Sequence, residues 1–233
     1  MLPVAILAGG LATRLRPITE KVPKALVEVA GKPFIFHQLD WLKRQKIGRV
    51  VLCVGYMGEM IQEHVGVGER WGIQVAYSFD GEKLLGTGGA LKKALPLLGR
   101  EFFVFYGDSF LPIDFLPVEQ AFQTSGKPAL MTFLKNQGQW DQSNVEAREG
   151  RLIAYNKKVP SSAMEYIDYG LGVLSAEVFR GIQDNETIDL GDLYQSLSAR
   201  GDMAGHEVVH RFYEIGSKSG LAQTEYFLKS NFR

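Results

Sequence analysis

The chain has 233 residues, enough for a large hydrophobic core, and one α/β domain of this length is common. Its 26 Lys and Arg residues balance its 26 Asp and Glu residues, so no net field draws it to nucleic acid or to an anionic membrane. Its single cysteine, Cys53, excludes a disulfide framework within one chain and is typical of a buried side chain. No secretory signal pattern precedes the first strand, and no apolar run approaches the roughly 20 residues that cross a bilayer, which predicts a cytoplasmic protein.

In the first part of the chain, short apolar runs alternate with segments of helical period. Such runs are typical of strands buried on both faces of a parallel sheet. The predicted strands are "VAIL", "RVVLCVG", "IQVAYS", "EFFVFYGD" and "KPALMTFL". The predicted helices are "PFIFHQLDWLKRQ", "GEMIQEHV", "TGGALKKALPLL" and "DFLPVEQAFQ". This order predicts a doubly wound, Rossmann-like α/β layer over about residues 1–135, with a mixed, mostly parallel sheet flanked by helices.

After about residue 136 the pattern changes. The stretch "NVEAREGRLIAYNKK" predicts two strands around a turn at Glu149–Gly150, and "YIDYGLGVLS" predicts another strand. We expect helices around "SAEVFRGI" and "IDLGDLYQSLSAR", one strand through "GHEVVHRFYEIG", and a final helix "SGLAQTEYFLKSNF". Because no Pro-, Ser- or Gly-rich linker separates this smaller antiparallel and helical portion, residues 1–233 are predicted to form a single domain.

The first strand ends in two glycines, Gly9 and Gly10, followed by the cations Arg14 and Lys24. Backbone amides at the carboxyl end of a buried strand can wrap an anion, because glycine permits close approach. The phosphate-loop pattern G-x-x-x-x-G-K-[ST] is absent. The pair Gly66 and Gly68 begins like the dinucleotide fingerprint G-x-G-x-x-G, but Trp71 occupies the position of its third glycine. Two glycines alone leave a simple turn as an alternative, but the cations favour a phosphate-binding loop.

The stretch "LAGGLATRLRPITEKVPKALVEVAGKPFIFHQLDWL" resembles the opening of the sugar-1-phosphate nucleotidylyltransferases, whose pattern is Gly-Gly-x-Gly-Thr-Arg-Leu-x-Pro-x-Thr, then Pro-Lys, then Lys-Pro. The resemblance continues in order through "LLGTGGALKKAL", "FYGDSF", "IAYNKKV" and "FYEIGS", and so covers essentially the whole chain. It implies transfer of a nucleotidyl group from a nucleoside triphosphate to a sugar 1-phosphate, with release of pyrophosphate. In length and local sequence the chain is most similar to the short bacterial members of this family that attach a nucleotide to heptose 1-phosphate or mannose 1-phosphate.

The resemblance also implies roles for individual residues. Arg14 would face the β- and γ-phosphates, Lys24 would touch the reacting phosphates, and Asp108 would hold Mg²⁺, for which Mn²⁺ is a substitute, together with Glu214. The nucleotide would be bound by Ala8, Gly9, Gly10, Thr13, Gly86, Thr87 and Gly88. The sugar phosphate would be held by Lys158, with Lys157 as the alternative, and the sugar by Asp168 and Tyr169, for which simple packing remains an equal alternative.

Two positions depart from the family pattern. Ala12 replaces the third loop glycine, at a cost of about 1 kcal/mol if its φ is positive. Glu214 is one methylene longer than the usual aspartate, which puts its metal contacts in doubt.

Several alternatives remain open at this point. GTP with a manno-heptose or mannose 1-phosphate is the favoured pairing, but UTP or dTTP with a hexose 1-phosphate, or CTP with a phospho-alcohol, would use the same residues. A regulatory subunit that binds nucleotide-sugar without catalysis is disfavoured because Arg14, Lys24 and Asp108 are all present. A nicotinamide-dependent oxidoreductase is also disfavoured, because this chain lacks the third glycine of the dinucleotide fingerprint. The predicted partners are a nucleoside triphosphate and a sugar 1-phosphate, without nucleic acid or membrane, and family habit favours a homo-oligomer.

Overall fold

A mixed nine-stranded sheet forms the centre of the computed structural model, which describes residues 1–232. Within these residues the strands are β1 Val4–Leu7, β2 Glu28–Val29, β3 Lys32–Pro33, β4 Arg49–Val54, β5 Gln74–Phe79, β6 Glu101–Tyr106, β7 Ser109–Phe110, β8 Ala129–Lys135, β9 Val145–Arg148, β10 Arg151–Tyr155, β11 Tyr166–Ser175, β12 Met203–Val208 and β13 Tyr213–Glu214. The α-helices are α1 Phe34–Arg44, α2 Gly58–Val65, α3 Gly86–Leu98, α4 Phe115–Ser125, α5 Leu190–Ala199 and α6 Lys218–Asn231.

The large sheet has the order β10-β9-β11-β6-β1-β4-β5, with β8 paired to β11 and β12 paired to β8. Strands β5, β4, β1 and β6 are mutually parallel. Strand β11 runs antiparallel to both β6 and β8, and β12 is parallel to β8. The predicted doubly wound α/β fold is therefore confirmed, and a single sheet passes through both the first and the second portion of the chain.

Side chains that alternate along β1 enter different hydrophobic clusters, because successive residues of a strand point to opposite faces. Val4 and Ile6 belong to a cluster that includes residues of α1, α2 and α4. Ala5 belongs to a second cluster, built with residues of α3 and α5. The helices thus cover both faces of the sheet, and the carboxyl ends of the parallel strands remain open for a site.

The second portion differs from the sequence prediction in two places. The segment "SAEVFRGI" holds only a short 3₁₀ helix, Ala176–Phe179. The stretch "GHEVVHRFYEIG" forms two strands instead of one, because β12 pairs with β8 whereas β13 leaves that sheet and pairs with β7. Between them, Val209 is 82% exposed, which marks the point where the chain leaves the core.

A third hydrophobic cluster joins α6 to β7 and β13, with Phe110, Ile215 and Leu228 at its centre. This packing brings the end of the chain back to the strand that follows β6. Within residues 1–232, none of the helices combines the length and hydrophobicity that a membrane span requires.

Candidate active site

Two cavities meet at the carboxyl ends of β1 and β6. One, which we call the loop pocket, has a volume of about 230 Å³ and is lined by the glycine loop after β1 and by the start of α3. The other, the β11 cleft, has a volume of about 840 Å³ and opens over β11 and the start of α6. Tyr106 and Asp108 line both cavities, so Asp108 lies where their contents would meet.

The glycine loop is packed tightly against its neighbours. Ala8, Gly9 and Gly10, the predicted nucleotide-binding residues, line the loop pocket, and the Ala8 N–H donates to the Cys53 carbonyl oxygen at 2.8 Å. A Cβ on Gly9 would stand 3.0 Å from the Gly55 nitrogen, whereas a Cβ on Gly10 would meet nothing within 4 Å. Gly9 is therefore needed for packing, and Gly10 keeps the rim open. Thr13 is exposed and does not line the loop pocket.

Ala12 occupies the left-handed region, with φ 50° and ψ 42°, immediately before the short 3₁₀ helix Thr13–Leu15. A buried hydroxyl holds it there, because Thr19 Oγ1 donates to the Ala12 carbonyl oxygen at 2.8 Å. The substitution of alanine for the family's third glycine therefore stores strain at the mouth of the pocket.

We expect Ala12→Gly to raise the free energy of unfolding by about 0.5–1 kcal/mol, because glycine adopts this conformation without a Cβ clash. Denaturant unfolding of the two proteins measures the difference. The matched control is Ala163→Gly, in an exposed turn outside the positive-φ region, where the same change should lower stability. A loss of stability in both variants would contradict the assigned strain.

Cations and carboxylates from distant parts of the chain converge beside Asp108. Lys24 Nζ donates to Asp108 Oδ2 at 2.8 Å, in a partly buried ion pair. A Cβ built on Gly216 would lie 2.7 Å from Glu214 Oε2, 3.2 Å from Arg14 Nη2 and 3.4 Å from Asp108 Oδ2. The structure thus brings the predicted residues Arg14, Lys24, Asp108 and Glu214 together at the junction of the two cavities.

Glu214 lines the β11 cleft, but both of its carboxylate oxygens also accept hydrogen bonds from its own loop. Its Oε1 accepts from Ser217 Oγ at 2.6 Å and its Oε2 accepts from the Gly216 N–H. The carbonyl oxygen of Asp108 accepts from the Ile215 N–H at 2.9 Å, which ties this loop to the turn after β6. The extra methylene of glutamate makes this geometry reachable while the carboxylate stays beside Arg14.

The glycine-rich start of α3 serves two purposes. Gly86 and Thr87 line the loop pocket, whereas Gly88 is buried against Ile188. The Gly88 N–H donates to the Ile188 carbonyl oxygen at 2.8 Å, and Thr87 Oγ1 accepts from the Leu190 N–H at 2.7 Å. The Gly88 amide is therefore already used within the protein, and this glycine makes room for the segment before α5.

Asp80, which no sequence motif singled out, is a buried carboxylate that lines the loop pocket. Its Oδ2 accepts from the Leu85 N–H at 3.2 Å, and Lys93 Nζ donates to its carbonyl oxygen at 3.0 Å. Burial raises the pKa of Asp80, while the Leu85 amide and Lys93 lower it. The available signal was a single acidic residue just after β5, at the pocket edge of the sheet.

Asp168 and Tyr169 both line the β11 cleft. Burial raises the pKa of Asp168 to about 6, although its carboxylate accepts from the Gly170 N–H at 2.9 Å and lies near Lys157. Tyr169 is 1% exposed, and its buried hydroxyl finds no hydrogen-bond partner within residues 1–232. Tyr169 also belongs to the first hydrophobic cluster, so its ring packs in the core behind the cleft wall, in line with the packing alternative.

Of the two neighbouring lysines, the structure places Lys157 in the cleft and Lys158 outside it. Lys157 lines the β11 cleft, whereas Lys158 Nζ pairs with Asp192 on α5 at 2.5 Å. The bend is fixed by Asn156 Oδ1, which accepts from the amides of Lys158 and Val159. The predicted contact Lys158 is thus turned away, and its alternative, Lys157, faces the site.

Cys53 is buried at the floor of the loop pocket, and burial raises the pKa of its thiol to about 12, so it carries no thiolate at neutral pH. Over residues 1–232, no group of three or more His, Cys, Asp or Glu side chains is arranged to hold a metal ion. Any metal here would depend on ligand oxygens in addition to protein carboxylates.

Comparison with known proteins agrees with this geometry. The chain is 40% identical over 227 residues to an N-acetylmuramate α-1-phosphate uridylyltransferase of Neisseria meningitidis, covering 94% of this chain and 95% of the relative. It is 32% identical over 202 residues to a D-glycero-α-D-manno-heptose 1-phosphate guanylyltransferase of Campylobacter jejuni, covering 84% and 87%. It spans 60% of the length of the longer mannose-1-phosphate guanylyltransferase relatives that it matches.

The fold agrees with a solved structure as well. The crystal structure of HddC from Yersinia pseudotuberculosis superposes with a TM-score of 0.81 at 20% identity, covering 98% of this chain and all of that one. The family model described as nucleotidyl transferase matches residues 4–214, a range that includes the glycine loop, Asp108, the β11 cleft and Glu214. The chain therefore belongs to the nucleotidyl transferase family.

Proposed function

We propose that this protein is a sugar-1-phosphate nucleotidylyltransferase, which converts a nucleoside triphosphate and a sugar 1-phosphate to a nucleotide-sugar and pyrophosphate. The observation that carries the proposal is the convergence of Arg14, Lys24, Asp108 and Glu214 where the loop pocket meets the β11 cleft. A triphosphate in one cavity and a sugar phosphate in the other would touch at this point.

In the proposed reaction, a phosphate oxygen of the sugar 1-phosphate attacks the α-phosphorus in line. The new O–P bond forms as the bond from the α-phosphorus to the bridging oxygen breaks, and pyrophosphate leaves. The attacking phosphate is already largely ionised near neutral pH, so no general base is required. The main obstacle is repulsion between two anions, which Arg14 and Lys24 would reduce while stabilising the charge that gathers on pyrophosphate.

The carboxylates beside these cations fit Mg²⁺, with Mn²⁺ as a substitute. Mg²⁺ takes hard oxygen ligands, commonly one or two carboxylates together with substrate phosphates, and Asp108 and Glu214 are the two that stand close together. Asp108 would be the principal ligand because the Glu214 oxygens are already held by Gly216 and Ser217. The bound metal would supply charge neutralisation on the phosphates. Lys24, paired to Asp108 in the free protein, would then be released toward the triphosphate.

Asp80 supports GTP as the nucleotide. Its Oδ1 makes no hydrogen bond within residues 1–232, so the carboxylate offers an acceptor to whatever fills the loop pocket. The Watson–Crick edge of guanine presents two adjacent donors, N1–H and N2–H, which match a carboxylate. Uracil and thymine present one donor between two acceptors, which fits a carboxylate less well.

For the sugar, the resemblance and the heptose relative favour a manno-heptose or mannose 1-phosphate. The relative of higher identity acts, by its name, on N-acetylmuramate α-1-phosphate, and it covers nearly the same length. We therefore keep UTP with such a sugar as the second candidate. The pairing of CTP with a phospho-alcohol stays a further proposal. A homo-oligomeric state is also a proposal, and light scattering of the purified protein measures it.

The test is magnesium-dependent release of pyrophosphate, with GTP, UTP, CTP, dTTP and ATP each crossed against mannose, heptose, glucose, N-acetylglucosamine and N-acetylmuramate 1-phosphates. We expect one pairing to exceed the others by at least about tenfold. Release that proceeds equally well with excess chelator would overturn the metal assignment. Folded protein that binds nucleotide and releases pyrophosphate from no pairing would favour the non-catalytic regulatory alternative.

We propose that Lys157, in place of the predicted Lys158, contacts the sugar phosphate. Lys157→Ala should raise the KM for the sugar 1-phosphate about tenfold or more, as expected for a lost charge-assisted hydrogen bond. Lys158→Ala is the matched control, because it removes only an exposed ion pair with Asp192, which contributes little. Steady-state kinetics with varied sugar phosphate measure both, and the reverse pattern would return the role to Lys158.

A further inference from the structure

Arg211 is a half-buried cation on the wall of the β11 cleft that the proposed reaction does not use. It lies in the segment between β12 and β13. Its Cζ stands 4.6 Å from the centre of the Tyr213 ring and 6.0 Å from that of Trp140. Nη2 donates to Gln223 Oε1 at 2.8 Å and Nε donates to the Phe212 carbonyl oxygen at 3.2 Å. The guanidinium plane is therefore fixed before any ligand arrives.

The charge of Arg211 is not neutralised by the protein. No carboxylate oxygen within residues 1–232 approaches its nitrogens to 4.0 Å. Of the other cations near the cleft, Lys24 pairs with Asp108. Arg14 lies near Glu214 and Lys157 lies near Asp168, but neither has a carboxylate oxygen within 4.0 Å among residues 1–232. Nη1 makes no hydrogen bond to the described residues, so donors of both Nη atoms remain for an incoming group.

The cleft around Arg211 is larger than the attacking phosphate needs. Its volume of about 840 Å³ is near the upper end of the roughly 300–1,000 Å³ of small-molecule sites. Three aromatic rings form one wall of the cleft. The centre of the Phe212 ring lies 5.7 Å from that of Trp140 and 5.9 Å from that of Tyr169. A sugar ring whose phosphate lies at Asp108 could pack on this wall and carry a substituent to Arg211.

We propose that Arg211 binds a carboxylate substituent on the sugar, so that the substrate class is an acidic sugar 1-phosphate. A fixed, planar guanidinium with unused donors matches a carboxylate in a bidentate pair. The 1-phosphate itself is assigned to Lys157, while Arg14 and Lys24 serve the reacting triphosphate, so the proposed reaction leaves Arg211 unused. The inference rests on the proposed function and favours an acidic sugar over the neutral heptose.

The test compares two sugar 1-phosphates that differ only in a carboxylate-bearing group, N-acetylmuramate 1-phosphate and N-acetylglucosamine 1-phosphate, each with GTP and with UTP. Wild-type protein should prefer the acidic sugar by at least about tenfold in kcat/KM. Arg211→Gln should lower kcat/KM for the acidic sugar about ten- to hundredfold, mainly through KM, and leave the neutral sugar within about twofold. Arg211→Lys, which keeps the charge but loses the planar fork, should give an intermediate loss.

The matched control is Arg70→Gln. Arg70 is an exposed arginine that also stacks on aromatic rings, Phe36 and Trp71, but lies outside the cleft, so both sugars should be unaffected. Equal use of the two sugars by wild-type protein, or an equal loss for both in Arg211→Gln, would overturn the inference.

A separate measurement keeps the inference testable if no pairing releases pyrophosphate, a result that would count against the proposed function alone. Calorimetric binding of the same two sugar 1-phosphates should then show tighter binding of the acidic sugar, lost in Arg211→Gln. Indistinguishable binding of the two would overturn the role of Arg211.

Discussion

Replacing Asp108 by asparagine is expected to lower turnover at least about a hundredfold while the protein stays folded. The reason is electrostatic: asparagine removes the negative charge that would hold Mg²⁺ at the point where the two cavities meet, and loss of one such stabilising group commonly costs this much. The Asp108 side chain is partly exposed, and the amide oxygen of asparagine can still accept a hydrogen bond from Lys24, so the fold should tolerate the change. Pyrophosphate release under saturating substrates and magnesium measures the effect.

The control for this variant is Asp184→Asn, because the Asp184 side chain is 91% exposed and makes only a long ion pair with Lys92 at 3.8 Å. Its turnover should equal that of the wild type. Thermal unfolding of both variants separates catalysis from folding. Turnover of Asp108→Asn close to that of the wild type would remove Asp108 from the metal site.

The second large effect is expected for Arg14→Ala, which should reduce kcat by about a hundred- to a thousandfold. Its guanidinium lies beside Glu214 and Asp108 and would stabilise the charge that grows on pyrophosphate, an interaction that strengthens only as the bond breaks. The KM for the sugar 1-phosphate should change little. Initial rates with each substrate varied in turn make the distinction.

The neighbouring Arg16 provides the matched control, because it lies on the same loop but makes only an exposed ion pair with Glu20 at 3.9 Å. Arg16→Ala should retain nearly full activity. If Arg14→Ala instead raised only the KM for the sugar phosphate, Arg14 would belong to the sugar side of the site and the proposed assignment would be wrong.

The elements of the first portion were predictable from the sequence because their signals are local. The runs that form β1, β4 and β6 are nearly all apolar, as expected for strands covered on both faces, and the helices between them have one apolar face. The departures lie in the second portion. There β12 and β13 are continuous in sequence pattern, but their partners, β8 and β7, belong to different sheets.

The sequence by itself determined the fold class, the family resemblance and the set of charged residues at the centre of the site, because strand ends and short motifs fix these within a few residues. Only the tertiary structure decided which of Lys157 and Lys158 faces the cleft, since neighbouring side chains diverge and the bend at Asn156 sets their directions. It likewise decided that Asp80 lines the loop pocket and that Arg211 lines the cleft without a carboxylate partner among residues 1–232. Burial and charge pairing depend on contacts between residues far apart in the chain, and no local pattern records them.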